Sequence, residues 1–444
     1  MKFNNKFFIF LSITVLSMSS CKKYFGDINL NPDSTNSASP ITVFPAVEIT
    51  FNYALNGDVS RFAGIFDQQQ TGNNRQFAGY NMYQFAGGDY STLWDNLYTG
   101  TMLNLKQIES FSAAKGANAY FGVAKILEAN ALMVTTDFFG DIPYSDAFQG
   151  SKQFQPKYDA QADVYTSIFA LLNDARAKLL LPANSPKPGA EDLIYGGDLK
   201  LWNKYANVLA ARGYLHLTKV DKGNYAKALA ELAKGGFASS AEDARLQYLT
   251  SSTGAAPMNQ YLSQRGDTEN GIFFLALLKT LKDPRSSTYG VAYQDANSNI
   301  INPILIPNQA APYITFTEQK FIEAECKLQT GDLPGATLAY LAGIKSSIIE
   351  AGNTAADYTA YITNPKVVPA TGITLNEIIT QKYIALWNQS EPYLDWRRTG
   401  IPALTPNAGA AIPRRFLYPQ TELDLNTNTP KGVSQFDRVW LDKP

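Results

Sequence analysis

Two pairs of carboxylates lie close together in the sequence and are the residues that could carry out hydrolysis. Glu323 and Glu325 are two apart in a helical pattern, and Asp137 and Asp141 flank a turn. A glycosidase needs two carboxyl groups facing each other across the scissile bond, whereas residues two apart on a helix lie on different faces. No nucleophile elbow or phosphate-binding loop is present either. We therefore predict no catalytic residues and no enzyme, with a glycoside hydrolase as a less favoured alternative.

Two groups of aromatic and amide residues are instead suited to binding a neutral sugar. Aromatic faces cover the apolar side of a pyranose, while amide and guanidinium groups form hydrogen bonds with its hydroxyls. The spacing of Trp94 and Tyr98 also fits a buried helix face, so these two rings have a structural alternative. The predicted ligand-binding residues are Arg75, Tyr80, Asn81, Tyr83, Trp94 and Asn96 in the first group, and Tyr289 and Tyr293 in the second.

Cysteine and histidine are too few for a metal centre or a disulfide framework. The chain has two cysteines, Cys21 and Cys326, and one histidine, His216. Zinc sites usually recruit several such residues, and His216 lies among apolar neighbours typical of a helix. We predict no metal and no cofactor.

The N-terminus has the layout of a secretory signal. Lys2 and Lys6 precede an apolar stretch, and small residues lead to Cys21. Small residues directly before a cysteine resemble a lipobox, in which the new N-terminal cysteine carries a lipid. We predict a signal peptide over 1–20, lipidation at Cys21 and a polar tether over 21–40. The alternative is a periplasmic protein without a lipid anchor.

Composition argues against nucleic acid and against a membrane-spanning body. The chain has 444 residues, 38 basic and 39 acidic side chains, and 12% aromatic residues. A balanced charge gives no field that would concentrate a polyanion. After Cys21 no apolar run approaches the roughly 20 residues that span a bilayer. We therefore expect membrane contact only through the lipid anchor, and no nucleic-acid partner.

Helical periodicity dominates the rest of the chain. Apolar residues recur at three- and four-residue spacing in three pairs of helices, near 120–180, 199–234 and 316–350. Pairs of this length with small residues at the crossings look like tetratricopeptide units, which stack because one pair cannot bury both faces. The sequence predicts a mainly α single domain over 41–444 with little strand. Long irregular insertions near 56–98 and 239–312 are predicted to bind the ligand.

An Arg-rich stretch near the C-terminus predicts ion pairing rather than ligand binding. Arginine forms bidentate pairs with carboxylates, and such pairs would lock the C-terminal loops onto the helices. Binding of an anionic ligand is the alternative. The residues concerned are Arg397, Arg398, Arg414 and Arg415, with Asp395 and Glu422 as the nearest carboxylates in the sequence.

Several motifs give the chain a resemblance to SusD/RagB-type proteins that extends over almost its whole predicted mature length. They follow the order found in that family, which makes the resemblance specific. The motifs are Asp-Ile-Asn (27–29), Gly-Asp-Ile-Pro-Tyr-Ser (140–145), Tyr-Ile-Thr-Phe-Thr-Glu (313–318), Asp-Trp-Arg-Arg-Thr-Gly (395–400), Pro-Arg-Arg-Phe-Leu-Tyr-Pro (413–419) and Val-Trp-Leu-Asp-Lys (439–443).

The resemblance implies a SusD-like lipoprotein of the cell outer membrane. Such a protein binds a glycan or oligosaccharide and delivers it to a SusC-like TonB-dependent transporter, so both are the expected partners. We expect the protein to face the outside of the cell. Lys22 and Lys23 follow Cys21, however, where similar proteins often carry acidic export signals. The alternative function is a structural or peptide- or protein-binding surface lipoprotein.

Overall fold

The computed structural model describes residues 39–182 and 186–443, most of which lie in helices. The predicted signal peptide, Cys21 and the tether up to residue 38 lie outside the described residues. The α-helices are α1 (Pro40–Ala54), α2 (Ser60–Phe66), α3 (Arg75–Asn81), α4 (Ser91–Asp95), α5 (Leu103–Lys115), α6 (Asn118–Phe139), α7 (Gln161–Leu179), α8 (Leu199–His216), α9 (Asn224–Ala233), α10 (Pro257–Gln264), α11 (Ile272–Leu281), α12 (Phe316–Gln329), α13 (Leu333–Glu350), α14 (Ala355–Tyr361), α15 (Leu375–Ala385), α16 (Glu391–Thr399) and α17 (Gln420–Leu425).

Shorter helical turns link these helices. Two π-helical segments, Leu55–Val59 and Asn96–Met102, continue α1 and α4 directly. The 3₁₀ turns are Gly87–Tyr90, Gly150–Lys152, Leu217–Lys219, Ser240–Glu242, Pro284–Ser287 and Trp440–Asp442.

The long helices pack as consecutive pairs. Helix α6 packs on α7, α8 on α9 and α12 on α13. Helix α8 also contacts α6 and α7, and α9 contacts α12, so the three pairs form one stack. Asp332 begins α13 by accepting a hydrogen bond from the Gly335 amide at 2.9 Å. Gly343 lets α13 approach α12 closely, since a Cβ there would lie 3.0 Å from the ring of Phe321. The predicted mainly α fold class is confirmed.

Strand is confined to three short antiparallel pairs in the described residues. Strands β1 (Gln70–Gly72) and β5 (Thr268–Asn270) pair with Thr71 opposite Glu269. Strands β2 (Ile142–Pro143) and β3 (Tyr158–Asp159) form a second pair. Strands β4 (Ala244–Gln247) and β6 (Ala310–Ile314) form the third, with Leu246 opposite Ala311. The β1–β5 pair therefore ties residues 239–312 to the segment 56–98, whereas β4–β6 brings together the two ends of the segment 239–312 itself.

The two segments predicted as irregular insertions contain short ordered elements. Residues 56–98 include α2, β1, α3 and α4, and residues 239–312 include β4, α10, β5 and α11. Most of these elements are too short to show a clear sequence period, and α11, with 10 residues, is apolar almost throughout, so none was predicted. Their positions are set by tertiary packing, since buried aromatic rings such as Phe62, Phe66 and Tyr90 lie against Phe416 near the C-terminus.

The Arg-rich stretch holds the C-terminal segment to the helices. Arg397 donates to the carbonyl oxygens of Asp137 and Arg414 at 2.7 and 2.8 Å, and Arg415 donates to that of Phe139. The carboxylate partners are not all those expected from the sequence. Arg414 pairs with Asp442 and Arg398 with Glu325 and Asp395, whereas Glu422 accepts a hydrogen bond from Tyr158 at 2.8 Å.

None of the helices in the described residues is long and apolar enough to cross a membrane. Within the same residues, no group of three or more His, Cys, Asp or Glu is arranged to hold a metal ion.

Candidate functional site

A cavity of about 300 Å³ lies where the segment 303–312 meets the start of α10 and the residues that follow α15. We call it the Trp387 cavity. Its wall combines aromatic, amide and apolar side chains with one pair of opposite charges. The lining residues are Asn56, Arg245, Tyr289, Glu350, the ranges 256–258 and 303–306, the range 308–312, Ala385 and the range 387–389.

Hydrogen bonds hold the loop 303–309 in place at the cavity. The Ala256 amide donates to the Pro307 carbonyl at 2.7 Å, and the Asn259 side chain donates to the Leu305 carbonyl at 2.7 Å. On the other side, Asn302 donates to the carbonyl oxygens of Thr288 and Val291 at 3.0 and 2.9 Å. The wall is therefore fixed by backbone contacts as well as by side-chain packing.

The aromatic part of the wall is built around Trp387. Its ring stacks on Tyr289, with centroids 4.9 Å apart and an interplanar angle of 17°, and meets Tyr293 edge-on at 5.9 Å. The indole N–H donates to Asn270 at 3.1 Å, which orients the ring relative to β5. Offset and edge-to-face arrangements of this kind are favourable and rigid.

The residue after Trp387 has an unusual backbone conformation. Asn388 has φ of 59°, in the left-handed region that residues other than glycine seldom adopt. Its amide donates to Gln69 at 3.0 Å, and its side-chain oxygen accepts from Gln70 at 2.8 Å and Tyr293 at 3.1 Å. Backbone strain that neighbouring contacts maintain in this way is common at functional sites.

Three amide side chains at the cavity have no partner within the protein. Asn308, Gln309 and Gln389 line the wall, and their side chains form no hydrogen bond with any residue that the structure describes. Each offers a donor and an acceptor. They can therefore bind hydroxyl groups of a ligand without breaking an existing protein contact.

The charged pair at the cavity is already compensated. Arg245 on β4 lies 2.8 Å from both Asp243 and Glu350. Asp243 directly precedes β4, whereas Glu350 is the last residue of α13. Asp243 also accepts a hydrogen bond from the Phe316 amide at the start of α12. Burial raises the pKa of Asp243 to about 6 against the lowering effect of Arg245. The guanidinium charge is thus balanced by carboxylates before any ligand enters.

Of the predicted binding residues, Tyr289 lines the Trp387 cavity and Tyr293 lies directly behind it. Tyr293 is fully buried and contacts Trp387 and Asn388. Of the second predicted group, one residue therefore lines the cavity and the other packs behind its wall.

The first predicted group lies elsewhere, and its tyrosines are in the core. Tyr80 and Tyr83 are 5% and 4% exposed. Tyr80 stacks on Phe85 at 4.2 Å, and the Tyr83 hydroxyl accepts a hydrogen bond from the Asn407 amide at 3.0 Å. Unlike Tyr289 and Trp387, which are similarly buried, these two rings do not line the Trp387 cavity.

Trp94 is a buried residue, as the alternative interpretation of its spacing with Tyr98 predicted. Its ring is buried, stacks on Tyr98 at 4.5 Å and meets Phe139 edge-on at 5.0 Å. The neighbouring Asn96 is partly exposed at the start of a π-helical segment, where its carbonyl accepts a hydrogen bond from Thr101 at 2.7 Å. Neither residue lines the Trp387 cavity.

Arg75 and Asn81 lie at the ends of α3 and are more accessible. Arg75 pairs with the buried Asp267 at 2.8 Å while about half of its own side chain is exposed. Asn81 accepts hydrogen bonds from Thr71 at 3.0 Å and Asn407 at 3.2 Å. Both have protein partners, and neither lines the Trp387 cavity.

The carboxylates considered for hydrolysis all have structural partners. Glu323 pairs with Lys320 and Lys327, both at 2.7 Å. Glu325 pairs with Arg398, and Asp141 accepts from the Gln161 amide at 2.9 Å. Asp137 lies against the imidazole of His216. None of these carboxylates lines the Trp387 cavity.

Sequence reasoning missed most of the cavity wall. Arg245, Gln309 and Gln389 come from segments far apart in the chain and follow no motif. Trp387 precedes the Arg-rich stretch in the chain, but no pattern in the sequence singled it out as a binding residue. A larger cleft of about 680 Å³ at the C-terminal end of α11 has Lys282 and Lys366 in its wall but neither tryptophan nor glutamine. Its chemistry fits a sugar less well.

Comparison with known proteins assigns the chain to a family. The profile of the SusD-like family described as "Starch-binding associating with outer membrane" matches residues 32–419. This is most of the chain, so the protein belongs to that SusD-like family. The predicted relation to SusD/RagB proteins is confirmed. No curated protein matches the sequence.

Solved structures of the family share the fold. A SusD/RagB family protein from Bacteroides thetaiotaomicron is 19% identical, with a TM-score of 0.76 over 91% of this chain and 99% of that one. A chitin-binding SusD homologue from Flavobacterium johnsoniae is 22% identical, with a TM-score of 0.74 over 90% and 99%. A SusD homologue from Bacteroides uniformis is 18% identical, with a TM-score of 0.74 over 92% and 100%. At these identities the likeness concerns the fold.

Proposed function

We propose that this protein binds an uncharged glycan in the Trp387 cavity and delivers it to a SusC-like TonB-dependent transporter at the outer membrane. The observation that carries the proposal is the set of free amides, Asn308, Gln309 and Gln389, beside the stacked rings of Trp387 and Tyr289. Sugar recognition needs both kinds of group, because a pyranose has apolar C–H faces and hydroxyl edges.

The charge of the wall favours an uncharged ligand. Arg245 and Glu350 are the charged residues among those described at the cavity, and they pair with each other. A carboxylate on the ligand would compete with Glu350 and Asp243 for Arg245 and would be repelled by both. Leaving a charge poorly paired in a partly buried site costs free energy.

Family membership supports binding without catalysis. The family is described as starch-binding, and the Flavobacterium johnsoniae relative is described as chitin-binding. The carboxylates that could have formed a hydrolytic pair are engaged with basic residues or backbone amides of this chain. We infer a protein that captures a glycan and leaves its bonds intact.

The membrane part of the proposal rests on the N-terminal sequence and on the family description. The lipobox-like residues before Cys21 would place a lipid at the start of a polar tether. The family description includes association with the outer membrane. A tethered binding protein would hold its ligand near a transporter in the same membrane, which raises the effective ligand concentration there.

Calorimetry with a panel of soluble polysaccharides tests glycan binding. The panel should include starch, glycol chitin, xylan and the anionic polygalacturonate. We expect binding to at least one neutral polymer and none to polygalacturonate. Chromatography of the same mixtures should show no shortened product. Absence of binding to every polymer would overturn the proposal, and release of shorter sugars would overturn its non-enzymatic part.

A double variant, Gln309→Ala with Gln389→Ala, tests the location of the site. Each lost hydrogen bond should weaken binding by about 0.5–1.5 kcal/mol, so the two together should lower affinity by roughly tenfold. Gln329→Ala is a matched control, because this glutamine is exposed at the end of α12 and lines none of the described cavities. Unchanged affinity in the double variant would place the site elsewhere.

Membrane attachment and the partner need separate measurements. Mass spectrometry of the N-terminal peptide from the native host should find a lipid on Cys21, and Cys21→Ser should release the protein from the membrane fraction. Affinity purification of the native form should recover a TonB-dependent transporter. An unmodified residue 21, or recovery without any transporter, would contradict these parts of the proposal.

A further inference from the structure

We propose that the Trp387 cavity admits a single sugar residue, so the protein recognises the end of a glycan chain rather than its interior. This inference rests on the proposed function and specifies the part of the glycan that enters the site. Cavity volume, the rigidity of the wall and the distribution of free polar groups support it.

The volume of the cavity corresponds to one sugar ring. A cavity of about 150 Å³ in a protein core holds one benzene ring. The Trp387 cavity, at about 300 Å³, has roughly twice that space. A pyranose residue with its hydroxyl and hydroxymethyl groups has about twice as many non-hydrogen atoms as benzene. One residue fills the cavity, and a chain of two or more would extend out of it.

The wall has little freedom to widen around a longer ligand. The loop 303–309 is fixed on one side by Ala256 and Asn259. The Gln247 side chain, which extends from β4, donates to the carbonyl of Asn308. Across the cavity, Arg245 joins β4 to α13 through Glu350. Opening the cavity would break several of these contacts at once, so the space for the ligand stays close to its present volume.

The free polar groups come from two separate segments of the chain. Asn308 and Gln309 belong to the loop before β6, whereas Gln389 follows α15. Amides from two separate segments can bind hydroxyls at different positions of one ring. Hydroxyls that are free at a chain end are replaced by glycosidic bonds within the chain. If an interior sugar residue entered the cavity, some of the protein's amide groups would be buried without a hydroxyl partner. This is unfavourable, so an interior residue would bind more weakly.

Oligosaccharides with and without ends test the inference. The probes are maltohexaose and α-cyclodextrin, which contain the same number of glucose residues, and chitohexaose. Each linear probe is also prepared as its borohydride-reduced form and with its non-reducing end blocked as a benzylidene acetal. Calorimetry on the wild-type protein gives the affinity for each. The disaccharides maltose and chitobiose are the short members of the two series.

For a probe that binds, we expect one of the two end modifications to weaken binding by about tenfold or more. In the maltose series, α-cyclodextrin should be weaker than maltohexaose by a similar factor. Lengthening the disaccharide to the hexasaccharide should change the dissociation constant by less than about threefold, because the added residues lie outside the cavity. The double variant Gln309→Ala with Gln389→Ala should weaken both lengths equally, and Gln329→Ala should weaken neither.

The inference is overturned if both end-modified forms bind as tightly as the unmodified oligosaccharide, or if α-cyclodextrin equals maltohexaose. A steep gain in affinity with length would overturn it as well. These outcomes leave glycan binding itself intact. Failure of every polymer in the neutral polysaccharide panel and of every oligosaccharide probe would instead overturn the proposed function, and the two results are therefore distinguishable.

Discussion

The imidazole of His216 lies against Glu391, with Nε2 3.0 Å from the carboxylate oxygen, at the point where α8 meets the start of α16. Its other nitrogen, Nδ1, is 3.1 Å from Asp137 on α6 and 3.0 Å from the hydroxyl of Tyr165 on α7. One side chain thus joins four helices. The sequence predicted a helix residue without a metal-binding role, and the structure adds that its buried ring lies between two carboxylates.

The charge on His216 should make stability depend on pH. Burial alone would lower its pKa, but Asp137 and Glu391 outweigh burial and raise the pKa from 6.5 to about 9. The folded state therefore binds the proton more tightly than the unfolded state. The resulting stabilisation is fully present below the unfolded pKa and is lost as the pH rises through about 9.

We expect His216→Gln to remove this contribution. The variant should be less stable than the wild type by roughly 3 kcal/mol at pH 6 and should approach it above pH 10. Urea unfolding at a series of pH values measures the difference. The same loss at both ends of the range would mean that His216 acts through packing rather than charge.

Arg398 forms the most extensive ion pair of the Arg-rich stretch. It contacts both oxygens of Glu325 and lies 2.8 Å from Asp395, which in turn is 2.7 Å from Lys382. All four side chains are almost completely buried. Removing one partner of a buried pair leaves an uncompensated charge, which costs about 3–5 kcal/mol.

Arg398→Met should therefore lower the free energy of unfolding by about 3–5 kcal/mol. The double variant Arg398→Met with Glu325→Met should recover much of this loss, because it removes both charges. Denaturant unfolding of Arg398→Met, Glu325→Met and the double variant gives the comparison. If the double variant is as unstable as the sum of its single changes, the pair is not coupled in the way that these contacts indicate.

The helix pairs and the role of the arginines were predictable because each leaves a local signal. A buried helix face repeats every three or four residues, and Gly331 before Asp332 indicates the end of one helix and the start of the next. An arginine close to a carboxylate in the sequence indicates a bidentate pair, but the actual partner depends on the fold. Glu325 and Asp442, rather than Glu422, take that role.

The Trp387 cavity was not predictable in the same way. Gln309 and Gln389 are 80 residues apart in the numbering and come together only because β6 and α12 to α15 fold between them. The aromatic residues before α4 have a composition that suits sugar binding, although Tyr80 and Tyr83 are packed in the core. Tyrosine and asparagine without a period fit either a binding surface or a core, and only the tertiary structure shows which rings border a cavity. Composition singled out Tyr289, which lines the cavity, but none of the other lining residues.

A pair of buried glutamates between α5 and α6 should respond to pH in opposite ways. Burial, followed by the nearby Glu128, raises the pKa of Glu109 from 4.5 to about 8. Burial acts in the same direction on Glu128, but hydrogen bonds from Glu109 and the charge of Lys106 outweigh it and lower the Glu128 pKa. Tyr144 also donates to Glu128 at 2.8 Å. Glu109 therefore carries the proton and Glu128 the charge.

We expect Glu109→Gln to match the wild type below pH 4.5 and to be more stable above pH 8, by on the order of 1–3 kcal/mol. The reason is that folded Glu109 must hold a proton that the unfolded chain has released. Glu128→Gln is the matched control and should be less stable than the wild type at neutral pH, since it loses its contact with Lys106. Unfolding free energies measured at pH 5 and pH 8.5 distinguish the effect of Glu109→Gln from that of Glu128→Gln. Equal effects of both changes would contradict this assignment of the proton.

Tyr80 provides the test between the two aromatic groups predicted from the sequence. Its ring stacks on Phe85 with an interplanar angle of 9° and meets Phe62 edge-on at 5.7 Å, and its hydroxyl donates to Asp89 at 2.5 Å. Truncation of a buried aromatic side chain costs about 3–5 kcal/mol, so Tyr80→Ala should lower the unfolding free energy by that amount.

Tyr80→Phe keeps the ring and removes only the hydroxyl, which should cost about 1 kcal/mol of stability. Because the hydroxyl is bound to Asp89 and the ring does not line the Trp387 cavity, glycan affinity of this variant should equal that of the wild type. Calorimetry on the folded variant, alongside Gln309→Ala with Gln389→Ala, makes the comparison direct. Weaker glycan binding in Tyr80→Phe at unchanged stability would move the site to the segment 56–98, where the first aromatic group lies.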